Sequence, residues 1–369
     1  MNLLIITQSY PGGTKEYSPT YIHTRLLYYK QQNIYADVIS FKCKKAYDFE
    51  GIKVYPAKSF SSLLKENSYN AVISHAPNIR NHIRLLMRNF PRLPKVFFQF
   101  HGHEILNKSR YYPQDFDFNQ GAFYGWYRKF IDIYDSVKCF LLRQIIKKFG
   151  GKKIFLIFVS QYLTELFEKN IGLRYQDVEA FSAIIPNPIH SVFTQQSYDW
   201  SANKIYDFIT IRKLDNPVHA VDEVVRVAEQ NPQFSFHIYG IGKYFDYNHC
   251  PGNVKVINSF VKPEAIPNLL NSYKAALMPS HHDTQGVMVC EMAAFGIPVI
   301  TSDIPAAREV LKGVKNKLLI SNDNIACDLN KFIRSTRQQS TSTLRDKLSA
   351  ENTAHKEVSF IREVVGKRD

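Results

Sequence analysis

Short apolar runs alternate with longer amphipathic segments along this chain, and the alternation starts afresh past its midpoint. In the first half the pattern predicts a strand at Asn2–Thr7, a polar loop at Gln8–Pro19, a helix at Tyr21–Gln32 and a strand at Ala36–Phe41. Short apolar strands follow at Ala71–Ser74, Val96–Phe100 and Ile154–Val159. In the second half, strands at Phe208–Ile211, Ser235–Tyr239, Val254–Ile257 and Ala275–Met278 alternate with helices at Ala220–Gln230 and Ile266–Tyr273. Strands apolar on both faces, separated by helical segments, predict a parallel sheet covered by helices on each side. With 369 residues the chain exceeds one ordinary core. The expected fold is α/β, with two Rossmann-like domains. Two prolines in Ile184-Ile185-Pro186-Asn187-Pro188-Ile189-His190 mark the break, so the domains are placed at 1–190 and 191–350. A last helix at about His355–Val365, within 351–369, is free to return to the first domain.

In doubly wound sheets ligands bind beyond the carboxyl ends of the strands. The loop after the first strand therefore faces a site, and Pro11-Gly12-Gly13 allows close backbone approach to a ligand there, with Gly13 as the binding candidate. A plain turn explains the same residues. The second half offers more in Pro279–Asp303: a strand end, a polar loop, a helix over Gly286–Ala294, Gly296 as its stop and a new strand at Pro298–Ile300. A loop opening into a helix N-terminus presents unpaired N–H groups to a phosphate or diphosphate. Asp283 and Glu291 bracket that turn. An acid near a helix start also gains roughly 0.3–1 kcal/mol from the macrodipole alone, so a scaffold role stands beside the ligand role.

Composition narrows the classes. Five scattered cysteines without paired spacing argue against a disulfide framework or a cysteine zinc site. His281 and His282 flank Asp283 without a third ligand at useful spacing, so no metal is implied. The opening MNLLIITQSYPGG reads as a strand entering a glycine turn rather than a signal peptide, and no apolar run is long enough for a membrane span. The expected location is cytoplasmic. The formal charge is +14, and from Arg128 to Lys153 eight Lys or Arg face two Asp, interleaved with aromatic and aliphatic residues. Such a stretch suits an anionic membrane surface, which would make the protein peripheral at the inner face of the cell membrane. An ordinary helix packed on the core explains it equally well. Zinc-finger spacing and RNP-like motifs are missing, so nucleic acid is not an expected partner.

Taken together, these segments resemble the retaining GT-B glycosyltransferases of family four. The resemblance rests on IFVSQYL at 157–163, IIPNPIH at 184–190, FITIRKLD at 208–215, HIYGIG at 237–242 and PSHHDTQGVMVCEMAAFGIPVITSD at 279–303, in that order. It covers the whole second domain, while the first is represented by the glycine loop and HGHE at 101–104. It implies two Rossmann-like domains facing a central cleft and a nucleotide-diphosphate sugar as donor substrate, without a cofactor. Asp283 and Glu291 then fall on the family's paired acids, the first contacting the donor sugar and the second the ribose. Gly286, Val287 and Met288 offer amides to the diphosphate, Gly240 lies in the glycine turn, and Arg212 or Lys213 supplies the cation. His101 matches a histidine near the reacting sugar.

The implied activity is a metal-independent, hexosyltransferase-like transfer to an acceptor hydroxyl on a saccharide or lipid-linked acceptor. Its implied setting is bacterial surface polysaccharide or glycolipid assembly. The chain departs from the family three times. Asn187-Pro188 stands where Asn-Gly is usual. Asp283 stands where the first acid is Glu, and Asp215-Asn216 stands where a Lys-Gly pair is usual, with Lys243 as a possible replacement for the charge. A nucleotide-sugar epimerase of the same fold and a non-catalytic sugar- or membrane-binding relative are the alternatives. A nicotinamide-dependent dehydrogenase lacks its G-x-G-x-x-G after the first strand.

Overall fold

A computed structural model of the chain describes residues 1–12, 20–323 and 327–367. The chain divides into two compact units. One comprises Met1–Lys108, Ile131–Pro188 and Ala350–Asp369, and the other Ser109–Phe130 and Ile189–Ser349. Each unit is built on one sheet.

The first unit's strands are Asn2–Thr7 (β1), Tyr35–Ser40 (β2), Tyr47–Phe49 (β3), Ile52–Pro56 (β4), Ala71–His75 (β5), Lys95–Phe100 (β6), Ile154–Phe158 (β7) and Ser182–Ile184 (β8). They lie in the order β3-β4-β2-β1-β5-β6-β7-β8, and only the β3–β4 pair is antiparallel. Strands β1, β5, β6 and β7 are buried along almost their whole length, as expected of a sheet covered on both faces. The β3–β4 hairpin has no counterpart in the sequence pattern. Glu50 and Gly51 turn it with φ of 52° and 78°, the left-handed pair that a two-residue hairpin turn needs.

Helix Thr20–Gln31 (α1) packs on the C-terminal helix Ala350–Gly366. Leu26 and Tyr29 share a core with Leu3, Ile5, Val38, Val358 and Ile361. Inside it Arg25 Nε lies 2.7 Å from Glu357 Oε2, both side chains fully buried, and Tyr29 Oη donates to Glu357 Oε1 at 2.5 Å. Opposite charges removed from water together are tolerable because each supplies the other's partner. The basic stretch forms a helix at Tyr124–Phe149 (α2), with residues in both units. It ends at Phe149, before Gly150 and Gly151, so Lys152 and Lys153 lie past it.

The second unit's strands are Tyr206–Ile211 (β9), Phe236–Tyr239 (β10), Val254–Ile257 (β11), Tyr273–Leu277 (β12), Val299–Ser302 (β13) and Lys317–Ile320 (β14). Their order is β11-β10-β9-β12-β13-β14, parallel throughout. The predicted helix at 266–273 stops at Leu270, and Tyr273 instead opens β12, buried with its hydroxyl 2.7 Å from His237 Nδ1. Helices Val221–Glu229 (α3) and Val287–Phe295 (α4) follow the loops after β9 and β12. From Val289 to Phe295 every residue of α4 is buried, and burying each large apolar side chain there contributes about 1.5–3 kcal/mol. Gly286 and Gly296 close its two ends at φ of 70° and 99°, a region costly for any residue with a Cβ.

Candidate functional site

Strands β9 and β12 are neighbours where the strand order reverses, so the loops leaving their carboxyl ends adjoin. Arg212 is the first residue past β9. Its Nη2 donates to Met278 O at 2.7 Å and its Nη1 to Ser280 Oγ at 3.2 Å, tying one loop to the other. Burial draws the guanidinium down to about 10, opposed by the charge of Asp283, and it remains a cation at neutral pH. Lys213 is exposed. Gly240 serves this arrangement sterically, since a Cβ there would stand 1.7 Å from Arg212 O. Lys243 donates its backbone N–H to Asp215 Oδ1 at 2.5 Å, and its side chain is exposed.

Asp283 folds its own loop. Its Oδ1 accepts the backbone N–H groups of Thr284, Gln285 and Gly286 at 2.7, 3.1 and 2.8 Å. The Gly286 amide, expected to face a diphosphate, is therefore already held by Asp283. The ladder of α4 starts with Cys290 N–H donating to Gly286 O at 3.0 Å, which leaves Val287 and Met288 among the first amides with no acceptor inside the helix. A small recess beside the turn is lined by Ser280, Asp283, Gly286, Val289, Thr301 and Ala307. Further along α4, Glu291 is 7% exposed and its Oε1 accepts the His190 N–H at 3.0 Å. Burial raises this carboxyl to about 7, with the His190 bond pulling the other way.

Several neighbours carry no signal in the sequence. The burial of His219, helped by the charges of Arg212 and Lys213 and opposed by that of Asp283, lowers its imidazole to about 4. His281 has the company that sequence spacing failed to find: its Nε2 lies 2.9 Å from Asp222 Oδ2, and one ligand atom each of Asp222, Glu223 and His281 fall within 4.8 Å of one another. This corrects the expectation of no third ligand, although their charges are already matched. Arg226 Nη1 holds both Glu223 oxygens at 2.8 and 2.9 Å, and Asp222 raises the His281 imidazole against the lowering effect of burial. His282 lies between Tyr111 and Tyr112, whose ring centroids are 5.5 and 5.3 Å away. These tyrosines come from the 109–130 segment, which also stacks Phe118 on Tyr247 at 4.8 Å.

In the first unit His101 follows β6. Its Nε2 is 3.2 Å from His75 Nδ1, its Nδ1 is 3.4 Å from Asn187 Nδ2, and its backbone N–H donates to the Glu104 carboxylate. Burial first, then Arg25, lowers the imidazole to about 3, so it is neutral at physiological pH. Gly13 lies outside the described residues. Its neighbour Gly12, at φ 105°, is required by packing, because a Cβ would come 2.6 Å from the Tyr47 ring. The structure thus gathers Arg212, Asp283, Gly286, Val287, Met288 and Glu291 in one unit, with His101 in the other.

The chain has the architecture of a glycosyltransferase from Rickettsia africae ESF-5, at 11% identity and TM-score 0.67 over 100% of this chain and 99% of that one. It is also similar to HepE from Anabaena, solved with UDP, at 14% identity and TM-score 0.66 over 98% and 100%. Sucrose-phosphate synthase from Thermosynechococcus elongatus aligns at 11% identity and TM-score 0.64 over 99% and 94%. These likenesses place the two parallel sheets in the GT-B fold. Residues 209–336, which take in the end of β9 and all of β12 and α4, match the family described as glycosyl transferases group 1, so the second unit carries a domain of that family. No curated protein sequence matches it.

Proposed function

We propose that the protein moves a hexose from a nucleoside diphosphate donor to an acceptor hydroxyl with retention at the anomeric carbon. The observation that carries this reading is the grouping, at one switch point, of a half-buried cation, a helix N-terminus and a buried carboxylate. Arg212 and the amides of Val287 and Met288 stabilise the diphosphate as charge grows on it, aided by Lys213. Glu291 accepts the ribose hydroxyls, and the Asp283 oxygen outside the turn bonds takes the hydroxyls of the donor sugar. The bond from the anomeric carbon to the diphosphate oxygen breaks, the acceptor oxygen bonds to that carbon from the same face, and the departing phosphate takes the acceptor's proton.

In the first unit, neutral His101, held by His75 and Asn187, is a hydrogen-bonding group for a sugar hydroxyl. Arg212 and Lys213 provide the positive charge in this scheme, without a metal or a cofactor. UDP in the Anabaena structure supports a nucleotide donor. The acceptor is a saccharide or lipid-linked saccharide of bacterial surface polysaccharide or glycolipid assembly, reached from the cytoplasmic side.

The test is product analysis with labelled nucleotide sugars, with and without saccharide acceptors. Label carried onto the acceptor, with release of nucleoside diphosphate, supports the reading. Conversion of the sugar on an intact donor without an acceptor would identify an epimerase, and binding without turnover a non-catalytic relative.

A further inference from the structure

Helix α2 has two apolar faces, and the core uses one of them. Cys139, Leu142 and Ile146 are buried, and Lys138 Nζ meets Asp135 Oδ1 at 2.5 Å among them. On the other side Trp126, Phe130, Ile133, Val137, Phe140 and Leu141 all remain in water, Trp126 to 76% and Ile133 to 65%. Their successive steps of four, three, four, three and one residues keep them within an arc of roughly 100°, opposite Asp135 and Ile146. Ile133, Val137, Phe140 and Leu141 belong to the first unit and form an exposed apolar row by themselves; Trp126 and Phe130 extend it along the same helix. Contiguous apolar surface of this kind marks a contact with a partner rather than a solvated helix side.

The charges around the row decide which partner fits. Lys129, Lys147 and Lys148 are exposed on or beside the arc, and the helix's acids, Asp132 and Asp135, lie toward the core. Lys129 Nζ stands 5.7 Å from the centre of the Trp126 ring. A second copy docked face to face would bring lysines toward lysines. An anionic bilayer instead offers phosphates to the ammonium groups and a hydrocarbon boundary to the rings, which is where Trp and Lys gather at membrane interfaces. No helix among the described residues is long and apolar enough to cross a membrane, so the contact is with the surface.

We infer that α2 docks on an anionic lipid bilayer, with Ile133, Val137 and Phe140 entering the headgroup boundary and Lys147 and Lys148 facing lipid phosphates. This goes beyond the sugar-transfer reading and stands independently of it. Flotation of the full chain with vesicles of mixed phosphatidylglycerol and phosphatidylcholine, against phosphatidylcholine alone, tests it. The protein floats with the first and not the second. Lys147→Glu/Lys148→Glu lowers the bound fraction at least about tenfold, and Ile133→Ser/Val137→Ser/Phe140→Ser does the same with an unchanged circular dichroism spectrum, since all three side chains are exposed.

Of the chain's two tryptophans, Trp200 packs on Tyr198, so a vesicle-induced blue shift of the emission disappears in Trp126→Phe. Equal flotation of the charge-reversed protein, or flotation with neither vesicle, overturns the inference. So does self-association in solution that the serine variant abolishes, which would make a second copy the occupant of this face.

Discussion

The carboxylate of Glu291 accepts the backbone N–H of His190 at 3.0 Å, joining the segment that enters the second unit to the helix that bears the site. Burial holds this carboxyl at about 7, above the 4.5 of an ordinary glutamate. A folded value above the unfolded one adds stability that is fully present below about 4.5 and lost as pH rises through about 7. Between pH 5 and pH 8 the wild type therefore loses roughly 2–3 kcal/mol relative to Glu291→Gln. Urea unfolding of both proteins at the two pH values reads this difference directly; parallel pH dependences would show that burial does not tune this group. Because ribose hydroxyls bond best to the ionised form, nucleotide affinity should rise across the same interval.

Arg212 and Lys213 separate by their surroundings. Arg212 bonds to Met278 O and Ser280 Oγ beside the Asp283 turn, whereas Lys213 is exposed. Arg212→Ala should lower transfer by on the order of 10²–10³, as expected for removing a fixed charge that stabilises a leaving group. Lys213→Ala should cost less than about tenfold on the same ground. Steady-state rates, with circular dichroism as the folding control, decide whether the order is reversed.

Asp283 has two tasks that substitution can divide. Asn keeps an oxygen to accept the three amides of the turn, and Ala removes it. Asp283→Ala should lose about 1 kcal/mol of stability, comparable to a lost helix cap, while Asp283→Asn should unfold near the wild-type midpoint. Both should lose transfer if the charged oxygen meets the donor sugar. An active Asp283→Asn enzyme would reduce the residue to its turn.

The core of the first unit offers a test of the C-terminal helix. Glu357→Gln leaves Arg25 charged and buried, and about 3–5 kcal/mol of stability should be lost. Replacing the pair together, as Arg25→Met/Glu357→Leu, should recover most of it. Denaturant midpoints for the two variants distinguish this from a loosely held terminal helix, for which both losses would be small.

What the sequence disclosed follows from what each element needs. Strands such as β1 and β6 are uninterrupted apolar runs buried on both sides, and their pattern is visible without a structure. The β3 and β8 strands are three residues long, too short for any period, and β4 and β14 escaped as well. At the site, Arg212, Asp283 and Glu291 announce themselves by type and by position beside a strand end or a helix start. The His190 N–H on Glu291 is backbone, and backbone amides have no letter in the sequence. The proximity of His219 and the meeting of Asp222, Glu223 and His281 arise from loops brought together by strand order. Helix α2 was ambiguous for a different reason: it is apolar on two sides, and only its packing shows which side the core takes.

If the second unit holds a nucleoside diphosphate between Arg212, the start of α4 and Glu291, thermal unfolding with a panel of nucleoside diphosphates and their sugars will reveal it. A selective ligand at about a hundred times its Kd should add roughly 2.7 kcal/mol to the wild type and raise its melting temperature. The same concentration should shift Arg212→Ala and Glu291→Gln much less. If no nucleotide shifts the wild type, or both variants shift as far as it does, the site is not where the donor binds.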